Sequence, residues 1–239
     1  MTPSMACGSQ PSAAPLGVIE LANRPLTFPG CVGNERSYPY PVIYETARDA
    51  YVSRIVAADP ALGDAYCEAA LRLESRGARA IIASCGFAAV YQQAVAARVR
   101  VPVLMSSLLL LPLLLNTLAP SRKLAVLTYD RRQLDARFLH AGGAEPPFDR
   151  IVVTGIEDSA SWRALAAPQP EIELAQLRED VLATVRRALE PAGSVGAILL
   201  ECSAFCPFAE EIRGLTGIPV SDFHTAADLV MSMARGRGA

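Results

Sequence analysis

Two stretches of this chain repeat one another at a fixed offset, and that repeat limits the folds open to it. Residues 80–87 read AIIASCGF and residues 197–204 read AILLECSA, so in each an apolar run ends on a cysteine. Cys85 lies 17 residues before Pro102 of VPV (101–103), and Cys202 lies 17 before Pro219 of IPV (218–220). One offset, 117, superimposes Ala80 on Ala197, Ile81 on Ile198, the two cysteines and the two prolines. The pattern describes two similar half-domains, each ending a buried strand on a thiol. Its period is far longer than the roughly 20–50 residues of solenoids.

The intervening chain alternates strand and helix signals. LGVIEL (16–21) has the length of a short buried strand. Residues 22–43 form a long loop rich in Pro and Gly, placed where open α/β sheets put their ligand crevices. A weak helical segment is expected near Tyr44 and a second strand at SRIVA (53–57). Asp59-Pro60 opens a helix that ends at Gly77. Strand RAIIAS (79–84), a helix over 88–98 and strand VPVLMS (101–106) follow. From Ser121 the pattern restarts: strand 123–130, helix 131–141, strand 150–156, an amphipathic helix over 171–190, strand GAILLE (196–201), helix 207–215, strand IPVSDF (218–223) and a final helix. Short connections between alternating strands and helices imply parallel sheets covered on both faces. The expected fold is α/β, with two pseudo-symmetric lobes, each a mostly parallel sheet flanked by helices, and the active site in the cleft between them. Residues 1–15 read as a disordered tail, 16–118 as the first lobe and 119–223 as the second. The C-terminal helix, 224–235, is expected to return to the first lobe, before a basic tail.

Composition narrows the function classes. The 239 residues are 51% hydrophobic and 19% charged with net charge −2, and this lack of basic excess argues against nucleic acid. The apolar run Leu108–Leu115 is broken by Pro112 and falls short of the roughly 20 residues that span a bilayer. It reads as buried core or a subunit contact, so no membrane partner is expected and a homodimer is. The first 15 residues lack the basic start and apolar centre of a secretory signal, which points to the cytoplasm and to cysteines kept as free thiols. Of the six, Cys7 lies in the tail and Cys67 falls in a helical pattern, where it acts as a small hydrophobe.

The repeated thiols carry the chemistry. Each sits where a strand gives way to a helix, a place whose free N–H groups and dipole bind anions and lower a thiol pKa. Two such thiols on opposite sides of an acidic C–H form a racemising pair: one thiolate takes the proton from one face, and the other thiol returns one to the opposite face. The candidate catalytic residues are Cys85 and Cys202. Ser84, Gly86 and Ser203 flank them, and Ser106, Ser107, Thr128 and Tyr129 end neighbouring strands. These residues, with their backbone N–H groups, are expected to hold the carboxylate of a small-molecule substrate.

Other constellations are weaker. A single cysteine in apolar surroundings is more often a small hydrophobe than a catalyst, and only the matched context raises this pair above that reading. Cys202, Cys206 and His224 could be grouped as a metal site, but the chain has two histidines and no second ligand pair, so no metal is expected. A triad from Asp222, His224 and a serine lacks the G-x-S-x-G elbow. His224 reads as a helix-start residue and His140 as a surface one. No phosphate-cradling glycine motif follows a strand. Lys123, the chain's single lysine, stands at a strand start beside Arg122, which disfavours a pyridoxal Schiff base. No cofactor is expected.

At these residues the chain resembles the aspartate/glutamate/hydantoin racemase superfamily of cofactor-independent enzymes. The resemblance runs over about residues 16–230 and is carried by ASCGFAAVYQ (83–92), VPVLMSSLL (101–109), LAVLTY (124–129) and LLECSAF (199–205). The loop FPGCVGN (28–34) also matches, which adds Asn34 as a substrate contact, although Cys31 stands where the family places an acid. Glutamate racemases have Cys-Asn-Thr and Cys-Thr-His in their cysteine turns. Here the turns read Cys85-Gly86-Phe87 and Cys202-Ser203-Ala204, and Phe87 implies a partly apolar pocket. The resemblance implies a racemase or epimerase of an amino acid or related α-substituted carboxylate. Alternatives on the same scaffold are a cis–trans isomerase or a decarboxylase of a dicarboxylic acid, and a non-catalytic small-molecule-binding protein also stays open.

Overall fold

The computed structural model describes residues 14–190 and 193–234. Strands β1 (Leu16–Glu20), β2 (Val42–Thr46), β3 (Ala80–Ala83) and β4 (Val103–Leu104) form one sheet in the order β2-β1-β3-β4. Strands β5 (Lys123–Thr128), β6 (Ile151–Gly155), β7 (Val195–Leu200) and β8 (Val220–Ser221) form a second in the order β6-β5-β7-β8. Every pairing is parallel. The central strands are apolar on both faces because helices cover both faces of such a sheet.

The sequence offset survives in the hydrogen bonding. Ile81 and Ile82 pair with Val103 and Leu104, and 117 residues later Ile198 and Leu199 pair with Val220 and Ser221. Ile81 N donates to Pro102 O and Ile198 N to Pro219 O, both at 2.9 Å. After each cysteine the chain enters a 3-10 helix, Gly86–Tyr91 in one lobe and Ser203–Phe208 in the other. Each continues into an α-helix, α3 (Gln92–Ala96) and α8 (Ala209–Thr216).

Three local expectations are corrected. The segment near Tyr44 is strand β2, because the β-branched and aromatic run VIYET finds a free edge on β1. SRIVA is not a strand; Val52–Ile55 is a single helical turn (α1) that buries only Ile55, and the edge it would have paired with is taken. Helix 131–141 shortens to α5 (Ala136–Ala141), capped by Asp135, whose carboxylate accepts the Arg137 N–H. A turn not read from the sequence, α6 (Ala160–Ala166), is capped by Ser159.

Elsewhere the local signals hold. Asp59 accepts the Ala61 N–H at 3.0 Å ahead of α2 (Leu62–Ser75), and Gly77 ends it at φ +90°. The leucine-rich run bends through Ser107–Leu110 into α4 (Leu111–Thr117), with Pro112 in its first turn. Leu108, Leu110 and Leu111 are buried there, and Leu113 is 55% exposed. Helix α7 (Leu174–Leu189) spans the predicted amphipathic segment. Helix α9 (Phe223–Ala234) packs Phe223, Ala227, Val230 and Met231 against Leu16, Val18, Ala80 and Ile82 of the first sheet. Burying a side chain such as Phe223 stabilises by about 1.5–3 kcal/mol, so this packing holds α9 on that sheet.

Residues 1–13, with Cys7, and the tail 235–239 lie outside the described residues. Among the described residues, Cys31, Cys67, Cys85, Cys202 and Cys206 are free thiols, and no helix is long and apolar enough to cross a membrane.

Candidate active site

Strands β3 and β7 deliver Cys85 and Cys202 to one place. Each cysteine is the extended residue just before its 3-10 helix, and both line a cavity of about 110 Å³ between the lobes. The N–H groups of Phe87 and Ala88 point to the Cys85 thiol, and that of Ala204 to Cys202. These contacts favour thiolate, as the strand-to-helix position implies. They do not win. Burial pushes both thiols up, and the neighbouring Glu201 charge adds to it. The expectation of lowered thiol pKa values is thus corrected: a short 3-10 turn offers few donors, and loss of water outweighs them.

The lobes differ at the positions beside the thiols. The offset of 117 sets Ser84 against Glu201. Ser84 N donates to Ile19 O at 2.9 Å, and Glu201 N donates to Leu127 O at 2.8 Å. Ile19 and Leu127 are therefore equivalent, and the next residues, Glu20 and Thr128, correspond. Each lobe carries one carboxyl and one hydroxyl, on opposite strands. In the second lobe they meet: Thr128 Oγ1 donates to Glu201 Oε2 at 2.6 Å. Glu201 is 0% exposed, and burial pushes its pKa up to about 7. Half-buried Glu20 is also pushed up to about 7 by burial.

A glycine makes room for Glu201. A Cβ on Gly86 would lie 2.0 Å from Glu201 Oε1 and 2.4 Å from its backbone oxygen. Ser203, the counterpart of Gly86, instead sends its hydroxyl across to Ser84 O at 2.5 Å. Ser107 Oγ makes a second cross-lobe bond, to Leu200 O at 2.9 Å.

The loop after β1 roofs the cavity. Asn23 Nδ2 donates to Ala167 O at 2.8 Å, and Arg24 donates to Pro168 O and Pro170 O through its backbone and guanidinium. Leu26, Cys31, Val32 and Gly33 of the same loop also line the cavity, as do Leu165 and Pro170 of the second lobe. Arg24 is the one cation among the lining residues. The Cys31 thiol is pushed up to about 11 by burial.

Of the residues named from sequence, Ser84, Cys85, Gly86, Phe87, Tyr129, Cys202 and Ser203 line the cavity. Thr128 lies behind Glu201 and supports it. Ser106 and Ser107 are fully buried, one capping Leu108 N and the other bridging the lobes. Asn34 holds its own loop, donating to Thr27 O and accepting from Arg36 N. None of these four is among the lining residues, because each spends its polar atoms on backbone or on another side chain. Sequence reasoning passed over Glu20 and Glu201. The signal for Glu201 was there: an acid ends an otherwise apolar strand immediately before a thiol. His224 stands at the start of α9, with Nε2 2.8 Å from Gly30 O, and His140 is exposed. Among the described residues no three His, Cys, Asp or Glu side chains gather as a metal site.

No family model matches the chain. Among curated proteins it is 28% identical over 223 residues to the dimethylsulfoniopropionate lyase of Durusdinium sp. clade D, covering 90% of this chain and 73% of that protein. Dimethylsulfoniopropionate lyase 5 of Emiliania huxleyi is also 28% identical, over 67% of this chain but 34% of its own length. Among solved structures, allantoin racemase from Klebsiella pneumoniae superimposes with TM-score 0.62 at 18% identity, over 92% of this chain and 87% of the other. Unliganded arylmalonate decarboxylase superimposes with TM-score 0.55 at 18% identity, over 94% of each chain.

Proposed function

We propose, for a chain with the fold of the aspartate/glutamate/hydantoin racemase superfamily, that this protein removes a proton from the carbon beside a carboxylate without a cofactor, Cys85 and Cys202 being its acid/base pair. One observation carries this reading: the two symmetry-related thiols line one small cavity, reached from opposite lobes. The substrate is a small α-substituted carboxylate such as an amino acid. One thiolate takes the α-proton, and the carbanion is held as its enediolate. The opposite thiol then reprotonates the other face, which inverts the centre.

A second reading shares the first half of that cycle. If the substrate carries a cationic leaving group one carbon further on, the carbanion expels it. The α C–H and β C–S bonds break, a C=C bond forms, and a neutral sulfide departs with the C–S electron pair. The thiol then loses its proton to water. Two observations favour this elimination. The likeness to dimethylsulfoniopropionate lyase spans 90% of the chain, and the cavity wall holds the half-buried carboxyl of Glu20. A sulfonium or ammonium group suits Glu20.

The test is incubation in heavy water with amino acids, hydantoins, arylmalonates and 3-(dimethylsulfonio)propionate. Loss of the α-proton signal with inversion supports racemisation. Release of dimethyl sulfide and acrylate selects the lyase, and carbon dioxide a decarboxylase. The reading fails if Cys85→Ala and Cys202→Ala both leave turnover unchanged, or if ligands bind and nothing exchanges.

A further inference from the structure

Glu201 has no part in the proton transfer just described, yet it is the most constrained acid in the cavity wall. Its Oε2 is occupied by Thr128 Oγ1, and the Tyr129 backbone N–H also bonds the carboxyl. Oε1 is buried and has no partner among the described residues. It lies over Gly86, where any side chain would collide with it. A buried polar oxygen without a partner is costly and calls for an explanation. Its place beside both thiols supplies one.

We propose that Glu201, as the neutral acid, donates a hydrogen bond from Oε1 to an oxygen of the substrate carboxylate. This rests on the reading that the cavity takes a carboxylate. With Oε2 engaged as acceptor, Oε1 is the oxygen free to carry the proton. When the α-proton leaves, negative charge grows on the substrate carboxylate oxygens, so a donor placed there acts where charge develops. An ionised Glu201 would do the reverse, repelling both the substrate and a thiolate. Burial, which holds this carboxyl near neutral pH, keeps the acid form available. Thr128 and Tyr129 after β5, Cys85 after β3, Cys202 on its own turn, Glu20 at the end of β1, and Cys31 and Arg24 from the roofing loop are the groups that face or surround it.

Propionate binding to the full chain tests this without turnover. Glu20, which lines the same cavity and is also pushed up to about 7, is first removed as Glu20→Gln. In that variant propionate affinity should fall about 30-fold as pH rises from about 6 to 8.5, through the ionisation of Glu201. Adding Glu201→Gln, which keeps a donor at the Oε1 position and cannot ionise, should flatten that fall, and Glu201→Met in its place should bind about tenfold more weakly than Glu201→Gln at every pH. A fall that persists in the Glu20→Gln/Glu201→Gln double variant overturns the proposal, as does an absence of propionate binding by the wild type. Should Glu201→Met fail to fold, the comparison of Glu20→Gln with the double variant alone decides. Failure of the two-thiol reading is distinguishable: turnover would survive loss of the thiols while propionate binding kept its pH dependence.

Discussion

The two lobes share the backbone hydrogen bonds that lead into their thiols and differ in what they place beside them. The first lobe puts a carboxyl at the end of β1 and a hydroxyl before Cys85. The second puts the hydroxyl at the end of β5 and the carboxyl before Cys202. The shared part sets two thiols against one cavity. The exchanged part gives the cavity an orientation, because Glu201 is sealed over Gly86 while Glu20 is half-buried beneath the loop. Duplication accounts for the pair of thiols; the departure from it gives the cavity wall one sealed and one half-buried carboxyl.

That comparison can be broken most directly at the thiols. Cys85→Ala and Cys202→Ala should each lower racemisation by about 10³-fold or more, read as change in optical rotation. If turnover is instead elimination, one lobe's thiol should matter far more than the other's, and the functional symmetry is gone. The next largest effect is on stability. Burial pushes the Glu201 carboxyl up to about 7, from the ordinary 4.5 of a glutamate in water. The stability it contributes is full below about pH 4.5 and is lost as pH rises to about 7, a swing on the order of 3 kcal/mol. Thermal unfolding of Glu201→Gln should lack that decline. Glu20→Gln should show a smaller change, since Glu20 is partly solvated.

Two smaller contrasts sharpen the picture. Gly86→Ala should destabilise by about 1–3 kcal/mol, because the new methyl meets both a carboxyl and a backbone oxygen. Its counterpart Ser203→Ala loses only the cross-lobe bond to Ser84 O and should cost about 1 kcal/mol in denaturant unfolding. Thr128→Val removes the bond that lowers Glu201. The stability decline should then extend to higher pH, with a loss of about 1 kcal/mol.

Much of the fold was legible in the sequence where the signal was local. The buried strands at 80–83, 123–128 and 195–200 show as apolar runs with sharp ends, and Gly77 and Asp59 mark the limits of α2. The failures came where partners decided. VIYET is a strand because β1 offers it an edge, and SRIVA, without that edge, is a helical turn. In the site, Ser106, Ser107 and Thr128 end strands with polar groups and Asn34 closes the loop that carries the family resemblance, but packing gives those groups to backbone or to Glu201.

The sequence by itself determined that this chain has two strand–thiol units at one spacing, because apolar runs and the turns that end them are written in contiguous residues. Ser84 already falls on Glu201 at that spacing, and only the tertiary structure decided that Glu20 matches Thr128. That correspondence runs through the pairing of β1 with β3 and of β5 with β7, across more than 60 residues in each lobe. Hydrogen-bond register between distant strands leaves no mark on either strand alone. Only where the register brings Glu201 over a bare Gly86 does an acid at the end of an apolar run become part of the cavity.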